Sequence, residues 1–231
     1  MNISINEVFG WSAASLSIII YIIIIKESIR LFRIEGKYKT IPIYVRLENI
    51  LNYFVCSSWL IYSYFINNNH LLTSNLIGTI VFFFWIIFIF LIYFRKINFI
   101  KYLIGVFIAS LFIPCTYFLF QYSIYFGGKI CAAIYIISFF SYFLEIKNVI
   151  MTKNYRMINI CICIIKLLCH FIWFIYGFII IDMNIVIPNV IGFIITFILA
   201  FFWNIYKKKS NTERLSNRSI DIMRNRVEFT L

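Results

Sequence analysis

The chain has 231 residues, 63% of them hydrophobic and 21% aromatic. Only 13% are charged, against about a quarter in soluble domains, which excludes an ordinary soluble fold and points to an integral membrane protein. The formal net charge of +12 is confined to particular loops, which excludes a nucleic-acid footprint as its reason.

Seven apolar runs reach the roughly 20 residues that a helix needs to cross a bilayer. In chain order they cover about residues 5–25, 41–65, 71–94, 98–120, 128–148, 158–181 and 185–206. The first carries Glu7 at its start and has no small-residue cleavage pattern after its Ile run, so it reads as a membrane helix and not as a cleavable signal. From Lys207 onward the sequence is polar and charged, and a disordered tail is expected.

The loops alternate in charge. Lys26, Arg30, Arg33, Lys37 and Lys39 follow the first span, Arg95 and Lys96 the third, and Lys147, Lys153 and Arg156 the fifth; Lys207, Lys208 and Lys209 follow the seventh. The intervening loops hold Asn67-Asn68-Asn69-His70, Gly127-Gly128-Lys129 and Asp182. The basic loops face the cytosol, so the N-terminus is expected outside or in a lumen and the C-terminus inside. A plasma-membrane location is expected in preference to an internal one. The six cysteines, Cys56, Cys115, Cys131, Cys161, Cys163 and Cys169, all fall within spans and form no CxxC. They read as small packing residues rather than disulfides or metal ligands.

Two stretches are near copies. Trp59-Leu60-Ile61-Tyr62 recurs as Trp173-Phe174-Ile175-Tyr176, and Asn75-Leu76-Ile77-Gly78 as Asn189-Val190-Ile191-Gly192, both at an offset of 114. The offset pairs the second span with the sixth, the third with the seventh and the first with the fifth. The fourth span has no partner, and its extra crossing lets the second unit start in the same orientation as the first. The expected fold is therefore an all-α membrane protein of seven transmembrane helices, two parallel three-helix repeats joined by a linker helix (3+1+3). The expected boundaries are 1–97 for the first repeat, 98–124 for the linker helix, 125–206 for the second repeat and 207–231 for a basic cytosolic tail.

Repeat interfaces in membrane proteins host substrate sites. Trp59 and Trp173 lie about two turns inside their span ends, deeper than the interfacial belt where membrane Trp is common. Asn75 and Asn189 fit either a site or interhelical hydrogen bonding, and Gly78 and Gly192 fit close helix packing. Lys166 and His170 lie four apart on the face of the sixth span that carries Trp173, and Glu48 lies nearly in line with Trp59 on the second. An ionisable residue at mid-membrane costs about 2.5–3.5 kcal/mol on insertion scales, so it faces a pore or a partner, unless, like a lysine near a span end, it snorkels to the headgroups. Glu48 and Lys166 are expected to pair across the pore as an inner latch, with His170 beside Lys166 tuning it. No catalytic set, metal-ligand set or nucleotide-binding loop is visible, so neither an enzyme nor ATP drive is expected, and no cofactor or metal.

The second half also carries Trp173-Phe174-Ile175-Tyr176-Gly177, then Asp182, then Pro188-Asn189-Val190-Ile191-Gly192, preceded by Val149-Ile150-Met151-Thr152-Lys153. In these residues the chain resembles the SWEET family of sugar facilitators, over about residues 5–206 and most closely over 141–206. The resemblance implies passive, bidirectional movement of a mono- or disaccharide through the bilayer by alternating access. It implies that Asn75 and Asn189 grip sugar hydroxyls, that Trp59 and Trp173 flank the sugar, and that Tyr62 and Asp182 meet when the outer side closes. An amide offers donors and an acceptor to hydroxyls that are both, and an indole face suits the apolar face of a sugar ring. The chain departs from the family in its helix prolines: the places near Tyr21–Ile23, Tyr142 and Asn159 hold none, and only Pro42 in the second span remains. A receptor or transporter of a non-sugar ligand, such as an amino acid or peptide, on the related PQ-loop scaffold is the alternative, favoured by the charges and the missing prolines. An oligomeric scaffold without a cavity is a third, and a homo-oligomer is left open.

Overall fold

The computed structural model describes residues 4–34, 43–93, 99–152 and 158–228, with side-chain surroundings defined for 4–29, 45–88, 111–151 and 158–208. Pro42, Lys37, Lys39, Arg95, Lys96, Lys153 and Arg156 lie outside the described residues. All described elements are helices: α1 Ile5–Ile34, α2 Ile43–Phe65, α3 Asn69–Tyr93, α4 Phe99–Tyr122, α5 Ile124–Ser138, α6 Phe140–Thr152, α7 Ile160–Ile179 and α8 Met183–Glu228. Among the described residues, five stretches are long and apolar enough to cross a membrane: Ile5–Ile29, Asn69–Phe88, Ile124–Met151, Ile160–Ile179 and Met183–Lys208. α2 has spanning length at 23 residues but opens with Arg46, Glu48 and Asn49.

The helices pack as two three-helix units. In the first, α3 lies against both α1 and α2; in the second, α8 lies against both α5 and α7. Across the units α1 packs on α7 and α2 on α5, while α4 rests on α2 and α5. The main core runs through this junction and draws Tyr53, Trp59, Tyr62 and Phe82 from one unit and Cys131, Trp173 and Tyr176 from the other.

The repeat extends to the turns. α2 and α7 end in the same way, Asn68 N–H donating to Ser63 O and Asp182 N–H to Gly177 O, each at 2.9 Å. The residues before them, Asn67 and Ile181, have φ of 52° and 58°. This is the left-handed helix cap in which a chain reverses within two residues. Asn tolerates that conformation, whereas a β-branched Ile is strained there.

The fifth span is one apolar stretch, Ile124–Met151, interrupted at Phe139 between α5 and α6. Phe139 N–H donates to Ile136 O and Tyr142 N–H to Phe139 O, a tightened turn made without proline. Ser138 and Ser141 donate their hydroxyls to Tyr135 O and Ser138 O at 2.6 and 2.9 Å, and such back-bonding competes with the helical ladder and bends it. Among the described residues of the tail, α8 continues from the bilayer stretch to Glu228. No Gly or Pro occurs after Gly192, so nothing in the sequence halts a helix once it has formed.

Candidate substrate cavity and its two closures

The residues at the heart of the repeat meet at one place. Trp59, Asn75, Trp173 and Asn189 all line a central cavity, together with Ser17, Tyr21, Asn52, Tyr135, Lys166 and His170 among others. Its volume, counted as space for water centres, is about 100 Å³, several times the roughly 10–15 Å³ that one water needs on that measure. Both Trp residues are buried, at 4% and 6% exposure, so neither serves as a lipid-facing belt. Helical spacing explains the convergence. α2 and α7 each carry Trp on the stripe that faces the opposite unit, and α3 and α8 each carry Asn one turn beyond the apolar residue that roofs the cavity, Leu71 or Ile185.

The two Asn side chains are held alike. Asn75 Nδ2 donates to Leu71 O and Asn189 Nδ2 to Ile185 O, both at 2.8 Å. Each bond fixes the amide against its own helix, and an amide retains a second N–H and its oxygen for other partners. The Trp rings are also alike, each meeting a Tyr edge-on one turn away: Trp59 with Tyr62 at 5.4 Å and Trp173 with Tyr176 at 5.5 Å between centroids. Aromatic walls with few fixed polar groups favour a ligand that has both an apolar face and hydroxyls.

Three sets of contacts tie the repeats together, two at one end of the cavity and one at the other. Beside the α2–α3 and α7–α8 turns, Tyr62 OH donates to Asp182 Oδ2 at 2.7 Å and accepts from Asn184 Nδ2 at 3.3 Å. A second set mirrors it at the same offset. Tyr176 OH accepts from Asn68 Nδ2 at 2.7 Å and lies 3.2 Å from His70 Nδ1. His70 Nε2 in turn lies 2.9 Å from Glu7 Oε2. Tyr176, Asn68, His70, Asn184 and Glu7 were absent from the expected gate. The offset of 114 pairs Tyr62 with Tyr176, an identity that could have marked the second set; it also links Asn68 to Asp182 and His70 to Asn184, where the residue types differ.

Toward the opposite end, Lys166 Nζ lies 2.7 Å from Glu48 Oε1, with side-chain exposures of 9% and 14%. The ammonium also sits 4.5 Å from the centre of the Tyr142 ring, a cation–π contact that is strongest where water is scarce. Lys166 lines both the central cavity and a second one of about 50 Å³ that holds Glu27, Glu48 and Glu145, so the ion pair stands between the two. His170 does not join this pair as expected. Its Nδ1 lies 3.1 Å from Asn189 Oδ1 and 3.4 Å from Tyr135 OH, because a helical step of four carries it one turn deeper, into the central cavity. Gly192 makes room for that ring: a Cβ there would come within 2.5 Å of His170 Cε1. Among the described residues no group of three or more His, Cys, Asp or Glu could hold a metal ion.

Comparison with known proteins bears on this arrangement. A family model described as sugar efflux transporter for intercellular exchange (MtN3_slv) matches residues 125–211. The bidirectional sugar transporter NEC1 of Petunia hybrida is 30% identical over 113 residues, which are 48% of this chain and 42% of that protein. The bidirectional sugar transporter SWEET10 of Arabidopsis thaliana is 35% identical over 81 residues, 35% of this chain and 28% of that one. The chain thus spans less than half the length of these curated relatives. The solved structure of a eukaryotic SWEET transporter superposes with a TM-score of 0.69 at 16% identity, covering 89% of this chain and 100% of that one. In fold over almost its whole length, and in sequence over its second repeat, the chain resembles the SWEET proteins.

Proposed function

We propose that the chain is a passive, bidirectional sugar uniporter that works by alternating access. Trp59 and Trp173 flank the sugar, and Asn75 and Asn189 bond its hydroxyls. The observation that carries this reading is that four residues paired by one sequence offset line a single cavity, with bonds between the repeats on both sides of it. Breaking the Tyr62–Asp182 and Tyr176–Asn68 bonds opens the cavity to the outside, and parting Glu48 from Lys166 opens it to the cytosol. Each closure need only be matched in free energy by the other for the transporter to rock between the two open states. The kink at Phe139 gives the second repeat a bending point in place of the absent proline. The names of the curated relatives support sugar as the substrate class. The proposed orientation places the Tyr62 end outside, following the basic loops.

A second reading has one observation in its favour. Lys166 places an ammonium at the cavity, and among the described residues no carboxylate lines it, so an amino acid or peptide could offer its own carboxylate there. Radiolabelled glucose and sucrose exchange in proteoliposomes, with unlabelled amino acids as competitors, separates the two. Saturable sugar exchange in both directions, unaffected by amino acids, supports the uniporter; exchange of an amino acid without sugar exchange supports the rival.

A further inference from the structure

The two Trp residues of the cavity are held unequally. Trp173 Nε1 donates to Ser17 Oγ at 2.8 Å, and that hydroxyl donates in turn to Ala13 O at 3.0 Å. Ser17 Oγ also lies 3.4 Å from Cys169 Sγ. Trp59 Nε1 is buried and has no hydrogen-bond partner among the described residues.

The repeat accounts for the difference. Its offset of 114 also relates α1 to α5, since it separates Tyr21 from Tyr135, and both line the cavity. The same offset places Cys131 at the position that answers to Ser17. α1, with Ser17, packs on α7, with Trp173; α5, with Cys131, packs on α2, with Trp59. Cys131 is fully buried. A thiol is a weak acceptor where a hydroxyl is a good one. At that position the thiol makes no bond to the Trp59 N–H, which lacks the anchor that Trp173 has, and a buried donor without an acceptor is unfavourable.

We propose that Ser17 is a positioning residue that fixes Trp173 as a rigid wall of the cavity, while Trp59, left unanchored by Cys131, is the wall that moves. On the sugar reading above, a substrate hydroxyl supplies the acceptor that Trp59 lacks once its ring swings toward the cavity, so a ligand is sensed through Trp59 and not through Trp173.

The test is fluorine NMR of the full chain labelled with 5-fluorotryptophan, the five signals being assigned by Trp→Phe substitution. The expected spectrum has a broadened or split Trp59 line and a single narrow Trp173 line. Reciprocal exchanges then follow. Cys131→Ser narrows the Trp59 line to the width of Trp173, and Ser17→Cys broadens Trp173. The Trp85 line stays fixed in both variants; Trp85 is buried and is not among the residues lining the cavity, so it reports an intact fold. A wild-type Trp59 line as narrow as that of Trp173, or a folded Cys131→Ser protein with an unchanged Trp59 line, overturns the proposal. Glucose addresses the underlying reading separately. A shift of the Trp59 line alone supports both, whereas narrowing by Cys131→Ser with no response to glucose keeps the positioning role and removes sugar as the ligand.

Discussion

Lys166 and Glu48, one from each repeat, form an ion pair of 2.7 Å in the same conformation in which Tyr62 bonds Asp182 on the far side of the cavity. The repeats are thus linked at both ends at once, by a charged pair at one and by neutral and charge-assisted hydrogen bonds at the other. Such a state is held by contacts that must break in turn, so substitutions at either end have predictable and opposite consequences.

Removing one partner of the ion pair leaves the other charge buried alone, which costs about 3–5 kcal/mol. Glu48→Lys and Lys166→Glu should each lower thermal stability and sugar flux. The double exchange restores the opposite-charge pair with reversed polarity and should recover part of both. Melting curves and proteoliposome flux measured on the same preparations check this. A double variant no better than the worse single one removes the latch, and Lys166 is then a structural or snorkelling lysine.

At the other end, the two Tyr hydroxyls act in parallel. Tyr62→Phe and Tyr176→Phe each remove one set, and a hydrogen bond to a charged group is worth about 1.5–3 kcal/mol, a neutral one about half that. Tyr62→Phe should therefore open the cavity more than Tyr176→Phe, and the double variant most. Cys56 and Cys169 line the cavity and supply native reporters. Their labelling by a membrane-impermeant thiol reagent added outside should speed up in that order, and equal labelling in all four proteins would contradict the role of these bonds.

Gly192 touches the His170 ring so closely that Gly192→Ala must displace it from Asn189. Overpacking of this kind costs about 1–3 kcal/mol. The expected result is a lower melting temperature together with weaker sugar binding. Gly78→Ala should act alike on the first repeat, where the added methyl would meet Cys56 Sγ at 2.6 Å and the Tyr21 ring at 2.8 Å.

Ile181 is 82% exposed at φ 58°. Its counterpart in the first repeat, Asn67, holds the same conformation with a side chain suited to it. The left-handed conformation costs an ordinary residue about 1–2 kcal/mol. Ile181→Asn should raise the melting temperature without altering transport, and no gain in stability would mean that this turn relaxes to another conformation.

Much of the architecture was legible because hydropathy and repetition are local properties of a sequence. Seven apolar runs and one offset were enough to foresee three helices, a linker helix and three more, and to single out Trp59, Trp173, Asn75 and Asn189. What escaped was set by contacts between helices. The break at Phe139 depends on two serine hydroxyls turning back on their own helix, and in sequence Ser138 and Ser141 are indistinguishable from serines that face a neighbour. The second set of contacts was marked only by Tyr176, the copy of Tyr62, because its partners Asn68 and His70 answer to residues of other types, Asp182 and Asn184. His170 shares a helix face with Lys166, but Asn189 from α8 and Tyr135 from α5 claim its ring, and no pattern within one helix reveals that.

The central claim is that Asn75 and Asn189, brought together from two repeats, hold a sugar. The most direct measurement is glucose counterflow in proteoliposomes without any ion gradient or ATP, comparing the wild type with Asn75→Ala and Asn189→Ala variants of matched melting temperature. Leaving sugar hydroxyls unpaired costs about 1–3 kcal/mol, or roughly 5- to 150-fold in affinity. The account predicts saturable counterflow in both directions for the wild type and a loss of that order in each variant. Wild-type protein that is folded but exchanges no glucose or sucrose, or Asn variants that exchange as fast as the wild type, would contradict it.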